Sequence, residues 1–326
     1  MNGTEQNRRG DAVNHLRTIA TALRSARNSA ASGRRTGGRG TDLAAVLAGI
    51  DAAGGTVADR AVVEQARQAD CVVERFGPKN EFTLVLAASA EDRKTCWRLV
   101  YEEYLAKGYT KPNAERLRYS AHDALPDTFT FLVKEGETPA GTVSIYPDSP
   151  LGLPGEEIYG DEIETLRRAG RTLVEIGRLT IAPAFANDRK ILMEMVEVPG
   201  MVARSVMKAD DMVITVNPNH CSFYERMMRF ETVGPAKVFG SVCGAEAVLL
   251  RMDLALQARM IEQARAPQSG PDSKRLRRTV YRAFRDAMAE RNFARCVRRL
   301  QRLYPPMPYD RSYLQGTNLF MPRSGC

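Results

Sequence analysis

The run Val174-Glu175-Ile176-Gly177-Arg178-Leu179-Thr180-Ile181 sets a carboxylate and a guanidinium three residues apart among aliphatic residues. A carboxylate in apolar surroundings can take a proton from an incoming nucleophile, and a guanidinium can grip an anion through two parallel N–H bonds. Side chains alternate along a regular strand, so Glu175 and Arg178 would face opposite sides of a sheet unless Gly177 carries a bulge. A glycine in mid-strand also permits close approach of a ligand or another backbone. The same residues would serve an ordinary ion pair on a half-exposed strand, so these eight positions alone leave both uses open.

Two further segments bear groups capable of chemistry. In Asn217-Pro218-Asn219-His220-Cys221-Ser222-Phe223-Tyr224 a β-branched run ends at an Asn-Pro turn, and a short helix then presents Phe223 and Tyr224. A purely structural use is equally available: Phe223 in a core, Tyr224 half-buried, and His220 or Ser222 capping the helix. Earlier in the chain, Trp97, Arg98, Tyr101 and Tyr104 can share much of one helix face, which Gly108 terminates. Stripes of this kind most often pack a core.

The elements that position these groups follow from periodicity and turn residues. Phe82 to Ala87 is a β-branched and aromatic run, and Ala90 to Lys107 has a helical pattern. Strands at 128–134 and 142–146 flank the hairpin-like EGETPAG, and a polar helix covers 156–169. A strand at 173–181, a helix at 189–208 in spite of Pro199, a strand at 212–216 and a short helix at 222–228 follow. Strands near 232–239 and 245–252 close the series. This order predicts a mixed α/β domain over residues 71–265. Before it, residues 1–70 form a basic, Ala-rich helical arm with a Gly/Arg linker at 33–41. After it, residues 266–326 comprise a linker, a basic helix from 274 to 303 and a Pro-rich tail.

The chain has 326 residues, 44% hydrophobic and 26% charged, which excludes wholesale disorder. No stretch approaches the ~18 uninterrupted apolar residues of a membrane span, and the opening residues lack the apolar core of a secretory signal. The six cysteines are scattered without a CxxC pair, so reduced thiols, a cytoplasmic location and no metal site are expected. P-loop, GxGxxG, HExxH and GxSxG motifs are absent. The net charge of +8 is uneven: residues 1–40 carry +6, residues 271–326 carry +9 and the stretch between them −7. Basic ends on an acidic core point to an anionic partner, whether nucleic acid, a membrane surface or an acidic protein.

Taken together and in this order, the helix ending in Gly108-Tyr109, the ExxR strand at Glu175 and Arg178, and the series Asn217, Pro218, Phe223, Tyr224 and Phe230 resemble the GNAT-fold acyltransferases. More closely they resemble the N-acyl amino acid synthase (FeeM-type) branch, which is related to the acyl-homoserine-lactone autoinducer synthases. The resemblance covers about residues 80–255. It implies a GNAT-like mixed central sheet flanked by helices, with extra helical segments at both ends. It also implies transfer of a fatty acyl group from an acyl carrier protein to the α-amine of an amino acid or similar small amine. The acyl-phosphopantetheine thioester is then the donor substrate, no resident cofactor is needed, and no acyl-enzyme forms. Glu175 takes the amine proton, Arg178 orients Glu175 or binds the acceptor carboxylate, and Tyr224 protonates the leaving thiolate. The backbone amide near Leu179 polarises the thioester carbonyl. Arg98, Tyr101, Tyr104, Asn217, His220 and Phe223 are expected around the substrates.

Two departures narrow this expectation. The stretch after the ExxR strand, Ala182 to Ile191, contains no glycine, whereas a Gly-rich loop usually cradles the pyrophosphate of coenzyme A. The acidic pair that autoinducer synthases carry is missing after Tyr109, which disfavours S-adenosylmethionine. The rival readings are a conventional acyl-CoA-dependent GNAT enzyme and, from another class, a basic nucleic-acid- or membrane-surface-binding protein. No nucleic-acid reader motif is present. The basic C-terminal helix fits a solvated strap on the domain, a peripheral contact with the inner face of the membrane, or a docking surface for an acidic carrier protein.

Overall fold

The computed structural model describes residues 71–125, 127–265 and 287–303. The expectations for the N-terminal arm, the linker after 265, the start of the basic helix and the Pro-rich tail lie outside the described residues. The chain enters through strands β1 (Val72–Phe76) and β2 (Phe82–Leu86), then helix α1 (Ala90–Ala106), whose first turn is capped by the Ser89 hydroxyl. After an irregular stretch with one 3-10 turn at Ala121–Ala124 come β3 (Phe129–Glu135), β4 (Thr138–Pro147) and α2 (Glu156–Arg168). Next are β5 (Leu173–Ile181), α3 (Arg189–Met201), β6 (Asp211–Val216) and α4 (Pro218–Met228). The short strands β7 (Glu231–Thr232) and β8 (Lys237–Phe239), the long β9 (Ala245–Asp253), and helices α5 (Leu254–Arg265) and α6 (Ala287–Leu303) complete the series.

The nine strands among the described residues join one mixed sheet in the order β1-β2-β3-β4-β5-β6-β9-β7, with β8 pairing β9. Only β5 and β6 run parallel. Phe131, Leu132 and Val133 of β3 and Val143 and Ile145 of β4 are all fully buried, because helices cover both faces at the centre of the sheet. This is the expected α+β architecture, a mixed sheet flanked by helices. The β5 limits coincide with those read from the sequence. Strand β1 escaped that reading because VVERF is a half-exposed edge strand with two charges, and α5 because it follows β9 without a turn residue.

Local chemistry explains the remaining shifts in boundaries. Helix α4 starts at Pro218 rather than Ser222, since the Asn217 side chain accepts from the Asn219 amide (3.0 Å) and Pro218 supplies the N1 backbone angle. Pro199 lies inside α3, which passes at Val202–Met207 into a wider π-type turn and ends at Lys208 with φ of 61°. Helix α6 buries Phe293, Ala294 and Val297; Phe293 lies 6.4 Å from the Phe131 ring, and Arg204 of the π-type turn pairs with Glu290 at 3.1 Å. Among the described residues no helix is long and apolar enough to cross a membrane.

One feature of the sheet creates the space for a site. Pairing of β5 with β6 runs from Leu173–Asp211 to Ile176–Ile214 and stops there. Beyond that point β5 continues to Ile181 against β4, and β6 continues to Val216 against β9. The two parallel strands part, and the gap between them is open.

Candidate active site

The parting is reinforced by a bulge on β5. Gly177 pairs with Ser144 and Thr180 with Thr142, so three steps on β5 oppose two on β4. Arg178 absorbs the extra residue in the left-handed region, with φ of 58°. A non-glycine there costs roughly 1–3 kcal/mol, a strain that concentrates at functional sites. Gly177 eases a close contact: a Cβ there would lie 3.0 Å from the Tyr146 ring beneath it. The bulge brings Glu175 and Arg178, three residues apart, to the wall of one cavity.

Arg178 is held by a closed set of partners. Its Nη2 donates to Asp123 Oδ2 (3.0 Å), its Nε to the Tyr146 hydroxyl (3.3 Å), and that hydroxyl donates to Asp123 Oδ1 (2.6 Å). The Ser120 amide (2.6 Å) and hydroxyl (3.0 Å) complete the shell of Asp123. Burial opposes the Arg178 charge, but Asp123 and Tyr146 outweigh it and hold the pKa above the ordinary arginine value. Burial, followed by Asp123, pushes the Tyr146 phenol well up.

Glu175 has different surroundings. It is 3% exposed, and its carboxyl accepts from the Gly155 amide (2.7 Å) at the start of α2 and from the Thr215 hydroxyl (3.2 Å) on β6. Burial pushes its pKa up to about 7, against the lowering effect of those two donors. No hydrogen bond joins Glu175 to Arg178. Gly155 cannot be larger, since a Cβ would stand 2.6 Å from Thr215 Oγ1 and 3.2 Å from the Glu175 carboxylate.

Two cavities meet at this point and share Tyr104, Ile176, Gly177, Arg178 and Thr215 as a common wall. The first, about 170 Å³, lies between the parted strands and α3, and Met195, Met212 and Phe230 give it an apolar part beside polar side chains. Tyr224, Leu179, Asn217 and His220 also border it. Arg178 and Leu179 fall outside the β4–β5 register, and β6 no longer pairs with β5 at this level. Burial, with Tyr104 adding to it, raises the Tyr224 phenol to about 12, so it keeps its proton at neutral pH. The second cavity, about 520 Å³, carries the charged or titratable side chains of Glu175, Arg118, His122 and Glu157, with Ser241 beside them.

The structure therefore gathers Glu175, Arg178, Tyr104, Leu179, Asn217, His220 and Tyr224 but leaves three expected residues outside. Arg98 is exposed and borders neither cavity, because it sits one residue beyond Trp97 and is turned about 100° from that buried side chain. Tyr101 is buried core whose hydroxyl accepts from the Asn113 amide (3.3 Å). Phe223 packs edge-on against Tyr224 (5.2 Å) and touches neither space. Asn217 borders the first cavity while its carboxamide caps α4, and His220 is exposed there. Sequence reasoning did not single out Asp123, Tyr146, Gly155, Thr215 or Arg118. Only Gly155 carried a local signal, as a glycine next to Pro154 before a helix.

The approach to α3 bears on the donor. The stretch after β5 makes a 3-10 turn at Pro183–Phe185, and the α3 N-terminus is capped by the Asp188 carboxylate, which accepts from the Lys190 amide (2.8 Å). An anionic cap occupies the place where a phosphate would otherwise bind helix amides.

No curated protein sequence matches the chain. Among solved structures, FeeM, an N-acyl amino acid synthase from uncultured soil microbes, is 24% identical; the match covers 55% of this chain and 93% of that one, with a TM-score of 0.49. An acyl-CoA N-acyltransferase from Pseudomonas aeruginosa is 14% identical over 52% of this chain and 97% of its own (TM-score 0.38). The CoA-dependent acyl-homoserine lactone synthase BjaI, with SAM and isopentyl-CoA, is 15% identical over 60% and 96% (TM-score 0.40). Residues 95–253, which contain Glu175, Arg178, Tyr224 and both strands that part, match the family model for the N-acyl amino acid synthase FeeM, and on that match the protein is an acyltransferase resembling this family.

Proposed function

We propose that the protein transfers a fatty acyl group from an acyl carrier protein to the α-amine of an amino acid. The observation that carries this reading is a buried carboxyl with a pKa near 7 on the wall of one of two cavities, next to the Ile176–Arg178 stretch where they meet in a junction. Acyl transfer between two bound substrates requires such a junction: a thioester with its hydrocarbon chain on one side and an amine on the other. The amine nitrogen attacks the thioester carbon, the C–S bond breaks, and an amide forms. Glu175, substantially ionised at neutral pH, takes the proton the amine must lose. The thiolate leaves with a proton from Tyr224. Charge developing on the carbonyl oxygen is met by the Leu179 amide, which belongs to the bulge. Arg178 favours the anionic form of Glu175 through space without bonding to it.

Two features favour a carrier-borne donor. The stretch preceding α3 lacks glycine and ends in an acidic cap, which is poor chemistry for a pyrophosphate. On α6 the apolar face is packed, Arg298 donates to the Ser205 carbonyl, and Arg291, Arg295 and Arg299 remain exposed to a strongly acidic carrier protein. The test compares an acyl carrier protein thioester, the matching acyl-CoA and a short pantetheine thioester with pooled amino acids, scoring new N-acyl products by mass spectrometry. The carrier thioester should be the best donor. Reversing Arg295 and Arg299 to Glu should raise its KM by about tenfold or more and leave the pantetheine donor unchanged. Equal use of acyl-CoA would overturn the choice of donor.

A further inference from the structure

The second cavity contains a cation that the mechanism above leaves unused. Arg118 comes from the irregular stretch between α1 and β3, and its guanidinium borders the same cavity as Glu175. Its contacts are the Ser241 carbonyl, to which Nη2 donates, and the Tyr104 ring, 5.7 Å from the guanidinium carbon. Among the described residues no carboxylate lies within ion-pair distance of it. Its Nε is buried and has no hydrogen-bond partner. Burial, with Arg178 adding to it, disfavours the Arg118 charge.

Arg178, by contrast, is neutralised by Asp123 and has both its Nε and its Nη2 committed. The other charged groups on the cavity wall are Glu157 and Glu175, with His122 as a titratable neighbour. Glu157 is engaged by the Ser241 amide (3.0 Å) and hydroxyl. Glu175 is engaged by Gly155 and Thr215. A partly buried guanidinium with a free Nε and no counter-ion favours an anionic ligand, and its planar fork suits a carboxylate. An α-amino acid carries a carboxylate and an amine on the same carbon, so holding the first on Arg118 confines the second to the neighbourhood of Glu175.

We infer that Arg118 binds the carboxylate of the acceptor and restricts the enzyme to α-amino acids over simple amines. The inference rests on the proposed acyl transfer but concerns a residue outside its chemical steps. The test pairs each of several L-amino acids with its amide, which keeps the amine and loses the anion. It measures acyl transfer by mass spectrometry and direct binding of both compounds by calorimetry. The wild type should favour at least one acid over its amide. Arg118→Gln should raise the KM of the acid about 10- to 100-fold, the span expected for a hydrogen bond to a charged group, with kcat and the rate on the amide little changed. Arg118→Lys should recover part of the loss. A wild type that uses or binds acid and amide equally overturns the inference, as does an Arg118→Gln protein that loses both acceptors in parallel, which is the signature of a merely structural arginine. If no acceptor of either kind is acylated the proposed function fails, and calorimetry still decides whether Arg118 selects the carboxylate.

Discussion

The two ends of the β5–β6 pair each collect buried charge, with opposite results. At the Leu173–Asp211 end the strands are hydrogen-bonded and the charges satisfy one another. Asp211, completely buried, accepts from Arg171 (2.7 Å) and pairs with Arg251 (2.9 Å), and Arg171 also reaches Asp253 (2.8 Å). At the other end the strands have parted: Arg178 is paired with Asp123, but Glu175 meets only neutral donors, and Arg118 meets a carbonyl and a ring. A buried acid next to two guanidiniums is a structural clamp. A buried acid and a partly buried guanidinium that form no ion pair are groups held ready for a ligand.

Substitutions at the two ends should separate stability from activity. The largest effect is expected at the clamp. Asp211→Asn leaves Arg171 and Arg251 short of their counter-charge and should cost about 3–5 kcal/mol in chemical denaturation, with activity per folded molecule preserved. An Asp211→Asn protein of unchanged stability would show the cluster to be incidental.

Glu175→Gln should act in the opposite sense on stability. The folded-state pKa of Glu175 lies near 7, above its ordinary value of 4.5, so the folded protein binds the extra proton between those limits. Its contribution to stability is therefore fully present below about pH 4.5 and is lost as pH rises towards 7. The loss, up to about 3 kcal/mol, should be missing from the pH profile of Glu175→Gln. Identical pH profiles for the two proteins would remove the buried anion from the account.

Smaller again is Tyr224→Phe, which deletes one proton donor at the first cavity. Turnover should fall about 100-fold, in the lower part of the range for general acid catalysis, and the melting temperature should hold. A change confined to stability would make Tyr224 a core residue, alongside Phe223 and Phe230.

The contrast between the two ends also marks how far the sequence could be read. Strand β5 was legible because an apolar run around one Gly has few other uses, and the Glu175–Arg178 spacing pointed to the bulge that the strand carries. The partners of those residues were not legible. Asp123 comes from a 3-10 turn with no periodic pattern, Tyr146 looks like any strand aromatic, and Arg118 lies in irregular chain; tertiary contact alone unites them with β5. The α1 stripe misled at Arg98 and Tyr101 because helical spacing defines a face but not what that face meets. Tyr104, two turns beyond Trp97, reaches the cavities, whereas Tyr101 remains in the core.

Whether the Glu175 carboxylate accepts the proton of the attacking amine is decided by the pH dependence of kcat/KM for acyl transfer, wild type against Glu175→Gln, at fixed carrier-borne donor. The wild-type rate should rise with pH and level off through an inflection near 7, the pH at which the buried carboxyl ionises. The Glu175→Gln rate should be about 10³-fold lower and lack that inflection. A variant within a few-fold of wild type, or one that keeps the same inflection, would contradict the assignment.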